Sequence, residues 1–291
     1  MKLLKTIIAL AVFLLLASCG DPQVDITGVG YQSKIAVQGY VYPNEEIKNI
    51  RITRNFPLET MINPEDLILT PSKNSVEIKV NGIALQFDVH TQTYYTNAIT
   101  ANFGETYLLE VSAIIDGEQL QTTSATTVPL EGFSLLTKDL GTVIYRTPIE
   151  FQFTPSPGTD FYAFSIIPDS ASVDNFIYDN PYFPNLERQD VEDDLNSFRF
   201  QFDLVINVES SPGSIREYEI LGLDTWFYST YQVIVYAGDK NFKDYVLTAS
   251  NVQQFDGNFI DPRMYFDGDG IGVFGSAIRD TLTFNLVAPS E

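Results

Sequence analysis

The chain has 291 residues, with 38 acidic and 17 basic side chains, a formal net charge of −21, one histidine and one cysteine. Such a charge opposes phosphate backbones and anionic headgroups, so nucleic acid is excluded as a partner. One histidine and one cysteine cannot build the usual zinc sites, and a serine–histidine triad would have to use His90.

Residues 1–18 read as a leader. Lys2 and Lys5 precede an apolar block over 6–17, about a dozen residues and so shorter than the roughly 20 of a comfortable membrane span. Leu16-Ala17-Ser18-Cys19 resembles the lipobox of bacterial lipoproteins, in which the cysteine becomes the lipidated first residue. That reading gives the lone Cys19 a role, since an unpaired thiol in a secreted protein is otherwise unusual. More than one acyl chain would make the anchoring stable. Residues 19–32 are short and polar and read as a tether. What remains, on the order of 270 residues, suffices for one large or two ordinary domains.

Strand periodicity begins at residue 33. Apolar and polar positions alternate over 34–41 and 47–54, the pattern of half-buried strands. Residues 55–73 carry three prolines and read as a long loop with a helical turn near Pro64. Asn81-Gly82 and Asp116-Gly117, each between alternating runs, predict tight hairpins with positive φ. About seven short strands before Val128-Pro129-Leu130 predict a β-sandwich, immunoglobulin-like or transthyretin-like, over 33–130.

The pattern resumes at 133–136, 143–153 and 161–167, then breaks over 169–196. This stretch contains Asn180-Pro181-Tyr182-Phe183-Pro184-Asn185 and the acidic run Glu192-Asp193-Asp194. A loop of that length is functional or mobile. Further strands are expected at 198–208, 216–221, 226–236, 271–274 and 281–287. The best helix covers 239–250, with Asp239 as N-cap and Phe242, Tyr245, Val246 and Ala249 on one face. The fold class is therefore all-β, a first sandwich followed by a β-rich domain over 131–291 with one short helix.

Three stretches together resemble the DUF4249 family of Bacteroidota outer-membrane lipoproteins. They are Lys34-Ile35-Ala36-Val37-Gln38-Gly39-Tyr40-Val41, Arg51-Ile52-Thr53-Arg54, and Gly270-Ile271-Gly272-Val273-Phe274-Gly275-Ser276. The resemblance implies a lipid-anchored envelope protein, surface-exposed or facing the periplasm, working near TonB-dependent transporters. It carries over no functional residue.

Several constellations suggest chemistry. Asp267-Gly268-Asp269-Gly270, with Asp256 and Asp261 nearby, resembles a fragment of a calcium loop, since Ca2+ takes six to eight oxygen ligands. An EF-hand is excluded because its twelfth position is Ile278. Otherwise no cofactor is expected. Gly270, Gly272 and Gly275 match the dinucleotide fingerprint in spacing, but the expected strand-to-helix context is absent; glycines approaching another backbone fit better. His90 reads as an exposed turn residue. The acidic segment 187–194 would be the place for a carboxylate hydrolase, though chance clusters are common in so acidic a chain. Tyr178, Tyr182, Phe183 and Trp226 fall in or near loops and are the candidate ligand-binding residues, because aromatic rings stack on flat or apolar ligands and anchor protein partners. The leading expectation is a non-enzymatic, membrane-anchored protein that binds a nutrient ligand or a TonB-dependent transporter. A structural or adhesin module and a carboxylate hydrolase are the alternatives.

Overall fold

The computed structural model describes residues 30–57, 60–208, 213–249 and 262–289. The leader, Cys19, Asp256 and Asp261 lie outside these. The described chain is mostly β, as the composition implied, and folds around two main apolar cores. Among the described residues no helix is long and apolar enough to cross a membrane.

The first core is a sandwich. One layer holds β1 (Ile35–Val41), β2 (Glu46–Arg54), β6 (Thr93–Thr100) and β5 (Gln86–Asp88); the other holds β8 (Glu118–Thr127), β7 (Thr106–Ile115), β3 (Glu77–Val80) and β4 (Ile83–Ala84). Alternation decides which faces meet. On β7 the buried residues are Tyr107, Leu109, Val111, Ala113 and Ile115, and on β1 and β2 they include Ile35, Val37, Ile50 and Ile52. Fully burying an aliphatic side chain of this kind contributes about 1.5–3 kcal/mol. The two foreseen hairpin turns are present, with φ of 49° and 77° at Asn81 and Gly82 and 53° and 85° at Asp116 and Gly117. The run after Gly82 divides at Leu85: β4 pairs with β3 in one layer and β5 with β6 in the other. The loop after β2 holds two short helices, α1 (Pro64–Leu67) and α2 (Pro71–Asn74).

The second core lies between the sheet β9 (Ser134–Leu135), β11 (Ile149–Thr154), β14 (Arg216–Ile220) and the continuation of the large sheet, β10 (Asp139–Ile144), β12 (Phe161–Pro168), β13 (Gln201–Ile206) and β15 (Thr230–Gly238). β12 is buried on both faces. Tyr162, Phe164 and Ile166 enter the second core, while Phe161 and Ala163 meet Phe242 of the helix on the other side. Between β12 and β13 come α3 (Arg188–Asp193) and α4 (Leu195–Phe198), two short helices within the stretch expected to be irregular. The foreseen helix is α5 (Lys240–Ala249).

One strand belongs to both cores. The expected separate strands at 271–274 and 281–287 are a single β17 (Gly270–Val287) of 18 residues. Its first part pairs parallel with β1 from Ile35↔Gly270 to Val41↔Ser276, and its second part pairs antiparallel with β15 from Gly238↔Ala277 to Thr230↔Asn285. Phe274 thus lies in the first core and Ile278, Leu282, Phe284 and Leu286 in the second. The segment that the sequence assigned wholly to a domain over 131–291 therefore returns to complete the first sandwich.

A row of hydroxyls on β8 holds this return. Thr122 Oγ1 donates to the carbonyl of Asp267 at 2.9 Å, in the two-residue strand β16 (Asp267–Gly268), and Ser124 Oγ donates to the carbonyl of Tyr265 at 2.5 Å. Thr126 Oγ1 donates to Asp239 Oδ2 at 2.6 Å. Asp239 Oδ1 in turn accepts from the amides of Phe242, at 2.9 Å, and Ser276, at 3.1 Å, so one carboxylate caps α5 and ties it to β8 and β17.

Candidate functional site

The candidate ligand-binding residues converge where residues 169–200 fold back on the segment before β15. Asn175 makes the first attachment. Its side chain accepts from Ser172 N and Oγ, both at 2.8 Å, and donates to the carbonyls of Ser170 and Tyr228. Phe176 then bridges to Phe227, and Ile177 N donates to the carbonyl of Trp226 at 2.9 Å. From the other side the buried Tyr231 hydroxyl accepts from the amides of Trp226 and Phe227 and donates to the carbonyl of Phe227. Trp226 is thereby fixed from both directions.

Asn180 sets the outer turn. It is 1% exposed; its Nδ2 donates to the carbonyl of Leu223 at 2.8 Å and its Oδ1 accepts from Tyr182 N at 3.0 Å. This side-chain turn places Tyr182 and Phe183 on the outside, each 48% exposed. Phe183 lies 5.4 Å from the Trp226 ring and Tyr182 lies 6.5 Å from it. Beneath them Phe176 stacks on Trp226 at 6.2 Å, and Phe198 closes on Trp226 at 5.4 Å. Val191 and Phe227 complete this small apolar base.

The structure thus brings Tyr182, Phe183 and Trp226 into one outward face. Tyr178 departs from the expectation: its ring packs on Phe176 at 5.0 Å and its hydroxyl donates to the carbonyl of Val173 at 3.0 Å, so it supports the turn from within. Three residues of the site escaped the sequence reading. Asn180 and Phe198 position the rings, and Asp224 lies partly buried beside Tyr182. Burial and the neighbouring Asp203 carboxylate push the Asp224 carboxyl up, against an opposing hydrogen bond from Tyr182. Among the described residues no ion pair reaches Asp224, whereas Asp179 at the rim is paired with Arg146 at 2.9 Å.

The other candidates are placed as follows. Asp269 accepts from Lys34 Nζ at 3.3 Å and from Gln121 N at 3.4 Å, while Asp267 is exposed in β16. Among the described residues no three His, Cys, Asp or Glu side chains are grouped to hold a metal ion. The glycines of the dinucleotide-like spacing all lie in β17: Gly272 and Gly275 allow close approach of the Val37 and Phe242 backbones, whereas Gly270 makes room for the side chains of Thr122 and Phe266. His90 is exposed in a turn, with its amide donating to Asp88 Oδ1 at 2.8 Å. The acids of 187–194 are engaged locally: Asp190 accepts from Glu187 N, Glu192 pairs with Arg188, and Asp193 accepts from Gln189.

The family model described as a domain of unknown function, DUF4249, matches residues 22–277. No curated protein matches the chain. Similar solved structures include a chimeric titin Z1Z2-Z1Z2 tandem functionalized with a GRGDS exogenous peptide from fibronectin, at 9% identity over 88% of this chain and 97% of that one, TM-score 0.23. The fibronectin(III)-like modules of Clostridium thermocellum CbhA match at 10% identity over 88% and 95%, TM-score 0.23. Trypsin-activated alpha-2-macroglobulin from Escherichia coli matches at 10% identity over 88% and 16%, TM-score 0.24. Scores this low carry no conclusion about fold or function.

Proposed function

The chain belongs to the DUF4249 family, and we propose that it is a lipid-anchored outer-membrane lipoprotein of the Bacteroidota type that acts without catalysis, by binding. The proposed anchor is Cys19, whose lipobox ends just before the family match begins at residue 22. The proposed binding face is the aromatic surface of Tyr182, Phe183 and Trp226, and its partner is a nutrient ligand or a TonB-dependent transporter.

The observation that carries this reading is how the rings are held. Exposed aromatic side chains with no role would not require a buried asparagine, a buried tyrosine hydroxyl and a private apolar base to fix them. A rigid, partly exposed aromatic group presented by a long loop on a β scaffold is a recognition arrangement. The acids nearby support binding over hydrolysis, because those of 187–194 are exposed, and Asp190 and Asp193 are engaged within their own helix.

Mass spectrometry of the mature protein should find an acylated Cys19 as its first residue; an unmodified amino terminus would sink the anchor. Purification from solubilised membranes should recover a transporter or ligand with the native chain and lose it with Tyr182→Ala/Phe183→Ala. Equal recovery by both would remove the aromatic face from the proposal. Recovery of extracellular matrix in place of a transporter would favour an adhesin.

A further inference from the structure

The aromatic face sits in a one-sided electrostatic setting. Residues 169–200 hold eight acids against two arginines. Of the arginines around it, Arg188 pairs with Asp174 at 2.7 Å and with Glu192 at 3.2 Å, and Arg146 pairs with Asp179. Asp224 is different. It is partly buried, accepts a hydrogen bond from Tyr182, faces the like charge of Asp203, and among the described residues no ion pair reaches it. A partly buried carboxylate facing another is costly unless something positive joins it. Two residues along the chain stands Trp226, with Phe183 at 5.4 Å and Tyr182 at 6.5 Å from its ring.

Resting on the reading of this face as the binding surface, we infer that its occupant is a cationic one: an arginine- or lysine-bearing segment of a partner polypeptide, with one cationic head between the Asp224 carboxylate and the rings of Tyr182 and Trp226. The chemistry is complementary at each point. A guanidinium is planar and weakly hydrated, stacks on an aromatic face and still donates to a carboxylate in its plane. The aliphatic stem of such a side chain would cover Phe183. The surplus of negative charge on the loop and on the whole chain would speed the approach of a basic segment and oppose an acidic one. A neutral glycan would use the rings and leave Asp224 without a counter-charge.

Trp226 is the only tryptophan in the chain, so its emission reports this face directly. Titration of the full chain with pentaarginine amide should change Trp226 emission saturably, and added salt should weaken the response. Asp224→Asn should reduce the affinity about tenfold, while Glu110→Gln, which removes one charge from the exposed face of β7 in the first sandwich, should leave it unchanged. Thermal midpoints of both variants verify that they fold. Equal loss in both variants, or none in Asp224→Asn, would show general charge attraction and overturn the inference. A response to maltopentaose without one to pentaarginine would also overturn it, yet leave the aromatic face as a ligand surface. Silence of Trp226 toward both probes would remove the ligand-surface reading as well.

Discussion

The carbonyl oxygen of Val37 occupies the place where a side chain on residue 272 would begin. A Cβ added to Gly272 would stand 2.1 Å from it, and the residue has φ of 101°, outside the range that other residues adopt. Val37 and Gly272 are register partners in the parallel pairing of β1 and β17. Gly272→Ala should therefore separate the two strands and cost roughly 3 kcal/mol or more, from clash and backbone strain together. Urea denaturation of the two proteins would measure it; a loss under 1 kcal/mol, on the order of a surface change, would mean the strands can shift apart freely.

Asp239 offers a second test. Its carboxylate accepts from Phe242 N, Ser276 N and Thr126 Oγ1. Asp239→Ala removes the helix cap and strands two buried donors, so a loss of about 2–3 kcal/mol is expected. Asp239→Asn keeps an acceptor for the amides and should cost less. Thermal unfolding of the pair distinguishes capping from mere bulk.

Two carboxyls set the direction of the pH dependence. Burial pushes Asp239 up, and burial with the Asp203 charge pushes Asp224 up. A carboxyl raised on folding binds its proton more readily in the folded state. Its penalty is absent below the unfolded value, near 3.9, and grows as pH rises through the folded value. Asp116 runs the other way: its hydrogen bond from Arg54 holds it low, so its contribution is lost only on further acidification. The thermal midpoint should rise as acid protonates these two carboxyls, at pH values above the ordinary carboxyl range near 3.9, and Asp224→Asn should flatten that rise. A midpoint that falls over the same interval would contradict the assignment.

Calcium should have little effect on stability. Asp269 is held by Lys34 and Gln121 N, and its backbone carbonyl accepts from Ile35 N at 2.9 Å. A cation drawn to Asp267 and Asp269 would have to displace that lysine. Midpoints with added Ca2+ and with chelator should coincide; a clear rise with Ca2+ would return these aspartates to the list of ligands.

Much of the architecture could be read locally because its signals are local. Asn81-Gly82 and Asp116-Gly117 need positive φ at both central positions, and Asp239 caps the helix that follows it. β17 was read as two strands because Arg279 and Asp280 interrupt the apolar pattern. Their partners are remote: Arg279 pairs with Glu45 at 2.6 Å and stacks on Tyr42, while Asp280 holds Lys138 and the amide of Leu135. No window of sequence contains such pairs. The same holds for the site. Tyr182, Phe183 and Trp226 stood out as aromatic residues near loops, but Phe176↔Phe227 is what joins them, and that bridge also brings Asp224 beside Tyr182. Asn180 looked like an ordinary loop asparagine because its burial is a property of the folded chain.

The shared strand has a mechanical consequence. If Cys19 is fixed in a membrane, tension from a bound partner enters at residues 169–200 and leaves through the amino end of β1. Between them runs β17, hydrogen-bonded to β15 along one half and to β1 along the other. Pulling along paired strands loads many hydrogen bonds at once, and among the described residues the two pairings run from β15 through β17 to β1 without a break. Such a body would carry a tug from the aromatic face to β1 as a single stiff piece, with its lifetime under load set by the rate at which the whole unit opens.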